Sequence, residues 1–197
     1  MKISQKAIMF GLDTRITLLI FGVLSIIIGA SLYKTFQEAK IVAIITEMNN
    51  IDKAFTEYLL DTGTYPEESD DLTYKLKIEE LLTSNLKGWT GLYIQFIDRG
   101  TETDGILEHP VYKNVSAYRK TSGSWASPFL STEQCLSTSD NCFIYICYSG
   151  LSRDEIELLE LKIDGENFPT LGSFRYNTAD TGCRQSILYD KRLAPAS

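Results

Sequence analysis

Histidine occurs once in this chain, at His109, and the four cysteines form no Cys-x-x-Cys pair. A zinc site of ordinary ligand spacing therefore has little to build on. Any histidine-based catalysis would rest on His109 alone, which precedes Pro110 in a loop, and nothing in the sequence identifies a carboxylate to orient it. There is no nucleophile elbow, no glycine-rich phosphate loop and no His-Glu-x-x-His stretch. Basic residues are outnumbered, 19 Lys and Arg against 26 Asp and Glu, for a net charge of −7. That balance argues against a nucleic-acid surface, which needs clustered cations. The adjacent acids Asp70–Asp71 and Glu79–Glu80 read most simply as a solvated acidic face. Repeats and low-complexity segments are also absent, so an ordinary globular core is expected.

What is present is an eighteen-residue run without a charge, Ile16–Tyr33, bracketed by Arg15 and Lys34. As a helix it would span roughly 27 Å, close to the hydrocarbon thickness of a bilayer. The helical pattern then continues, with apolar residues at Ile41, Ile44/Ile45, Met48, Ile51, Phe55 and Tyr58/Leu59. The expected object is one helix of about 45 residues, half in lipid and half on a soluble domain. It divides the chain into a basic leader (1–15), a transmembrane half (16–33), an amphipathic half (34–62) and a domain (63–197). Residues 1–36 carry four basic side chains against Asp13, a charge of +3, so the remainder carries −10. A basic start before an apolar helix keeps the N-terminus in the cytoplasm. A cleaved secretory signal, cut near Ile28–Ser31, is the rival reading; a retained anchor is favoured because the run is long and the helix continues beyond it.

The cysteines, Cys135, Cys142, Cys147 and Cys183, all follow the anchor, and their even number suits an oxidising compartment with two disulfides. Three connectivities are open. Pairing Cys135 with Cys142 and Cys147 with Cys183 is preferred, because the first pair brackets a short polar loop. The long helix should stop near Asp61–Gly63, with Pro66 beyond it. A short helix is expected over Tyr74–Leu86 and a strand over Gly91–Asp98. Candidate strands follow at Val111–Tyr112 and Ser116–Arg119, and a strong, central one at Cys142–Tyr148. Ser152 and Glu155 form a capping box before a helix to Ile163, and strands at Phe174–Tyr176 and Ser186–Tyr189 close the chain. The fold class is α+β: a long N-terminal helix packed on an antiparallel sheet. Asp164, Glu166 and Asn167 share a loop, and such oxygen ligands suit calcium, although Asp-Gly-Glu-Asn is also an ordinary turn. Tyr145 and Tyr148 should pack in the core. Trp89 and Trp125, near glycine-containing loops, either pack or mark a partner surface.

The phrase Tyr58-Leu59-Leu60-Asp61-Thr62-Gly63-Thr64-Tyr65-Pro66, at the end of a helix running from an apolar segment, resembles the type IV pilin-like superfamily, particularly the pseudopilins of type II secretion. Gly88-Trp89-Thr90-Gly91-Leu92-Tyr93 is similar to a second pseudopilin phrase, with Leu92 in place of a proline. Glu160–Tyr176 is similar to a C-terminal Asp-Gly-rich segment. The resemblance covers residues 1 to about 95, and the end of the chain more loosely. It implies a disulfide-stapled pilin-like fold and a non-enzymatic subunit of a pilus or pseudopilus. It also implies assembly with other pilin-like subunits on an inner-membrane platform, driven by a separate ATPase, and calcium in the loop of Asp164, Glu166 and Asn167. The site would be the assembly helix, Ile16, Thr17, Leu18, Leu19, Ile20, Gly22, Ser25 and Gly29, with its N-terminus in the bacterial cytoplasm and the domain outside the inner membrane. Two departures stand out. The family's leader is cut just after a glycine by a prepilin peptidase, whereas Arg15 precedes Ile16, and Gly11 is the candidate glycine. The glutamate expected shortly afterwards is missing, with Ile16 or Ile20 in its place. A minor pilin of a surface fibre or competence machine, and a signal-anchored binding domain that never assembles, remain the alternatives.

Overall fold

The computed structural model describes residues 5–69, 74–98, 105–121, 142–166, 168–176 and 181–189, with side chains omitted at 5–13 and 187–189. Helix α1 runs from Gln5 to Thr62. The chain divides into two compact units, Met1–Ala43 and Ile44–Ser197. In the first, the side chains from Ile16 to Phe36 are largely exposed, with Phe21 at 70% and Ile26 at 73%. The helix begins eleven residues before the expected start, so Gly11 lies inside it. Within the apolar run the Ser25 and Ser31 hydroxyls are satisfied by the helix itself, donating to the carbonyls of Phe21 and Ile27, four residues back.

In the second unit the expected stripe is the core. Ile44, Met48, Ile51, Phe55 and Tyr58 are at most 2% exposed, and Ala54 joins them. Each large apolar side chain removed from water contributes about 1.5–3 kcal/mol, which holds this half of the helix to the sheet. The stripe needs only one turn in three or four residues to repeat, which is why it was readable without tertiary information.

Seven antiparallel strands are found among the described residues: β1 (Lys75–Leu76), β2 (Ile97–Asp98), β3 (Ile106–Glu108), β4 (Asn114–Thr121), β5 (Cys142–Ser149), β6 (Phe174–Tyr176) and β7 (Thr181–Tyr189). Their order is β2-β3-β4-β5-β7-β6, and β1 takes the edge of β4 where β3 stops, at Ala117 and Tyr118. Strand β5 is buried over most of its length and is central, as its unbroken apolar run implied. Cys147 lies directly opposite Cys183 in β7, and the two are joined by a disulfide. Cys142 is also disulfide-bonded, while Cys135 lies outside the described residues. Helix α2 (Arg153–Ile163) starts from the Ser152–Glu155 capping box and buries Ile156 and Leu159.

Three expectations need correction. The helix expected over Tyr74–Leu86 is instead β1 followed by a 3-10 turn at Ile78–Leu81. Leu76, Ile78 and Leu81 are all fully buried, and their spacing of two and then three suits strand plus 3-10 turn. The strand expected over Gly91–Asp98 shrinks to Ile97–Asp98. Continuing its register with β3 would set Gln95 opposite Pro110, which has no N–H to give. Val111–Tyr112 is a turn, because both amides are drawn to His109.

Candidate functional site

The exposed stretch of α1 holds every residue of the candidate assembly helix. Ile16, Leu18, Leu19 and Ile20 are 53–69% exposed. Gly22 and Gly29 have open space where a side chain would be. This is the one helix among the described residues long and apolar enough to cross a membrane, with a mean hydropathy of 2.3 in its most apolar window. A patch of that length is far beyond what a soluble surface leaves bare, so a membrane span or signal anchor is its natural use.

In the second unit, the phrases Tyr58–Pro66 and Gly88–Tyr93 meet. Gly63, at φ +77°, caps α1 with its N–H on the Leu59 carbonyl at 2.9 Å. The Asp61 carboxylate accepts hydrogen bonds from the Thr90 hydroxyl (2.5 Å) and the Tyr93 hydroxyl (2.8 Å), and these hold its pKa down. Gly88, at φ +100°, sits so close to the end of α1 that a Cβ there would lie 2.1 Å from the Asp61 carbonyl oxygen. Tyr58 donates to the Glu80 carboxylate, which also accepts the Glu67 amide at 3.1 Å. Burial raises the pKa of Glu80. Trp89 packs edge-on to Tyr93 and donates to the Glu80 carbonyl at 3.3 Å. Glu79 accepts the Gly105 amide. Glu79 and Glu80 are thus structural acceptors and not the solvated face expected of them, while Asp70, Asp71 and Trp125 lie outside the described residues.

His109 does have an orienting carboxylate, supplied by Glu47 from α1. Its Nε2 lies 3.0 and 3.2 Å from the two Glu47 oxygens, and its Nδ1 accepts the Val111 and Tyr112 amides at 3.0 Å each. Two N–H donors on Nδ1 assign the hydrogen to Nε2, which donates to Glu47. Phe96, Tyr112 and Tyr148 surround the ring, the nearest centroid at 4.9 Å. The Tyr148 hydroxyl is buried near Glu47 without a well-formed hydrogen bond, and burial followed by the Glu47 charge raises its pKa. Burial, followed by the Glu155 charge, pushes Tyr112 up to about 12. With one nitrogen spent on amides and the other on Glu47, the ring presents no free lone pair to a substrate. What it can do is clamp α1 to the β3–β4 turn. Sixty-two residues separate His109 from Glu47, so no local pattern could have revealed the pair.

The loop after α2 is organised by its acids. The Asp164 carboxylate accepts the Ser173 and Phe174 amides at 2.9 and 2.7 Å, and Gly172 leaves it room. Glu160 is 1% exposed; its Oε1 accepts the Phe168 amide at 3.2 Å, and its Oε2 has no partner. Burial, chiefly, pushes this carboxyl up to about 7, with Asp164 raising it further and Arg175 opposing. No three acidic, histidine or cysteine side chains gather at metal-holding distance among the described residues, and Asn167 lies outside them. The two amides on Asp164 give this loop a structural reason for its sequence that needs no ion.

Compared with protein-family models, curated proteins and solved structures, the chain gives no match.

Proposed function

We propose that this chain is a structural, non-enzymatic subunit of a pilus or pseudopilus, of the type II secretion kind, assembling through its N-terminal helix. The observation that carries the reading is α1 itself. A single helix holds an unburied, charge-free run at Ile16–Tyr33 and also, further along, the buried stripe of a folded domain. In lipid, helices associate through close packing at small residues, and Gly22, Ser25 and Gly29 offer such positions. The meeting of the two phrases that resemble pseudopilins, at Asp61, Gly88, Thr90 and Tyr93, supports the same reading. In this proposal the N-terminus lies in the cytoplasm of a bacterium, the acidic domain lies beyond the inner membrane, and partners are other pilin-like subunits and an assembly platform.

A second reading, a signal-anchored domain that never assembles, is favoured by one feature: the apolar run carries no carboxylate to meet a neighbour's terminal amine, Ile20 standing where one is expected. Cysteine crosslinking of Gly22→Cys and Gly29→Cys in native membranes separates the two. Assembly predicts ladders of crosslinked subunits and copurification of other pilin-like chains. A stable monomer without such partners refutes it. Mass spectrometry of the mature N-terminus adds the processing state: Leu12 or Ile16 means cleavage, and an intact Met1 means a permanent anchor.

A further inference from the structure

Between α1 and β2 lies a cleft of about 430 Å³, with Ile51, Ala54 and Glu57 on one wall and Leu92–Phe96 on the other. The second wall is the stretch, in neither helix nor strand, that leads into β2, an edge strand of the sheet. Pro110 prevents β3 from pairing with it, for the reason given above. Apart from the Tyr93 N–H, which donates to the Leu81 carbonyl at 3.0 Å, the backbone of residues 92–96 makes no hydrogen bond to another described residue. Backbone without hydrogen-bond partners, continuing an edge strand beside an open cleft, can accept an added strand, with backbone pairing supplying affinity and alternate side chains entering the cleft. Leu92 and Ile97, 59% exposed each, are apolar surface that such a strand would cover.

We propose that Leu92–Phe96, with the cleft beside it, is a docking site for an extended basic peptide from a partner protein, which adds to the β2 edge as a strand. Charge selects a basic partner. The cleft carries Glu47 and Glu57 against Lys53 alone, and the chain after residue 36 carries −10. A second copy of this chain would bring the same negative field and be repelled. The site uses none of the residues of the apolar run Ile16–Tyr33, so the proposal stands whether or not the chain polymerises.

The test uses the full chain in detergent micelles and a probe peptide of alternating lysine and valine. A glutamate–valine peptide of equal length serves as control, and two N-methylated versions of the probe are methylated at odd or at even positions. Hydrogen exchange of the free chain is expected to show fast amides at Gln95 and Phe96, with Ile94, 5% exposed, slower. The lysine–valine peptide should slow alternate amides there at least tenfold. Because a strand pairs through every second residue, methylation in one register should weaken binding about tenfold and in the other very little. Glu57→Lys should weaken it several-fold while thermal unfolding stays unchanged. Equal losses in both registers, protection elsewhere in the domain, or equal binding of the acidic peptide would overturn the proposal. So would slow exchange at these amides arising from self-association of the chain alone.

Discussion

Replacing Gly88 with alanine tests whether the end of α1 is locked by a backbone contact. Two costs are expected. A non-glycine residue at φ +100° costs about 1–2 kcal/mol. The new methyl would also stand 2.1 Å from the Asp61 carbonyl oxygen and 3.1 Å from its carbon. No side-chain rotation relieves a clash with backbone, so either the helix end or the Gly88 loop must shift, at about 1–3 kcal/mol more. Gly63→Ala provides the control. Its φ is +77° but nothing lies within 4 Å of the new methyl, so only the conformational cost of about 1–2 kcal/mol applies. Urea unfolding of the full chain in micelles, followed by tryptophan fluorescence, should therefore show Gly88→Ala losing about 2–5 kcal/mol in all, some 2 kcal/mol more than Gly63→Ala. Equal losses at the two positions would refute the claimed close approach, and with it the junction of the two phrases.

Four further outcomes follow from the same contacts. Glu47→Ala and His109→Ala should each destabilise the domain, and the double variant should lose less than their sum, with a coupling of about 1–3 kcal/mol by denaturant unfolding; strict additivity would remove the clamp. Glu160, held up to about 7 against an ordinary 4.5, keeps in the folded state a proton that the unfolded chain has released. Stability should therefore fall by on the order of 2 kcal/mol as pH rises from about 4.5 to about 7, and Glu160→Gln should flatten that slope in pH-dependent melts. Replacing Cys147 and Cys183 by alanine frees a loop whose ends lie 36 residues apart, for an expected loss of about 4 kcal/mol in urea unfolding; no loss would mean the unfolded chain gains nothing. Calcium should leave the melting temperature unchanged, because Asp164 already accepts two amides; a rise of several degrees would restore the loop as an ion site.

Periodic features were legible because each residue reports on its neighbours along one element. The stripe from Ile44 to Tyr58 repeats with the helical turn, β5 is apolar throughout, and the Ser152–Glu155 box closes within three residues. The Cys147–Cys183 pairing was reachable by simple reasoning about which loop the other two bracket. Segments whose structure depends on a distant partner misled. Tyr74–Leu86 looked helical because four leucines and an isoleucine crowd it, but β1 finds its strand partner in Tyr118 and Ala117. Gly91–Asp98 has the composition of a strand, yet the chain opposite it lacks an N–H at Pro110 and then turns at Val111–Tyr112. Glu79 and Glu80 look like solvent residues until the amides of Gly105 and Glu67 and the Tyr58 hydroxyl arrive from elsewhere in the chain.

By itself, then, the sequence determined the long helix, its charge-free run, the α+β class and the acidic character of the domain, since composition and period suffice for these. Only the tertiary structure decided what the polar side chains do. It made His109, a lone loop histidine, the partner of Glu47, and it gave the Asp164 carboxylate two amides to hold. It also left the backbone of residues 94–96 without a hydrogen bond to another described residue, beside a cleft. The physical reason is common to all three. Apolar burial is non-directional and follows pattern, whereas a hydrogen bond needs one particular donor at about 3 Å, which folding alone brings within reach.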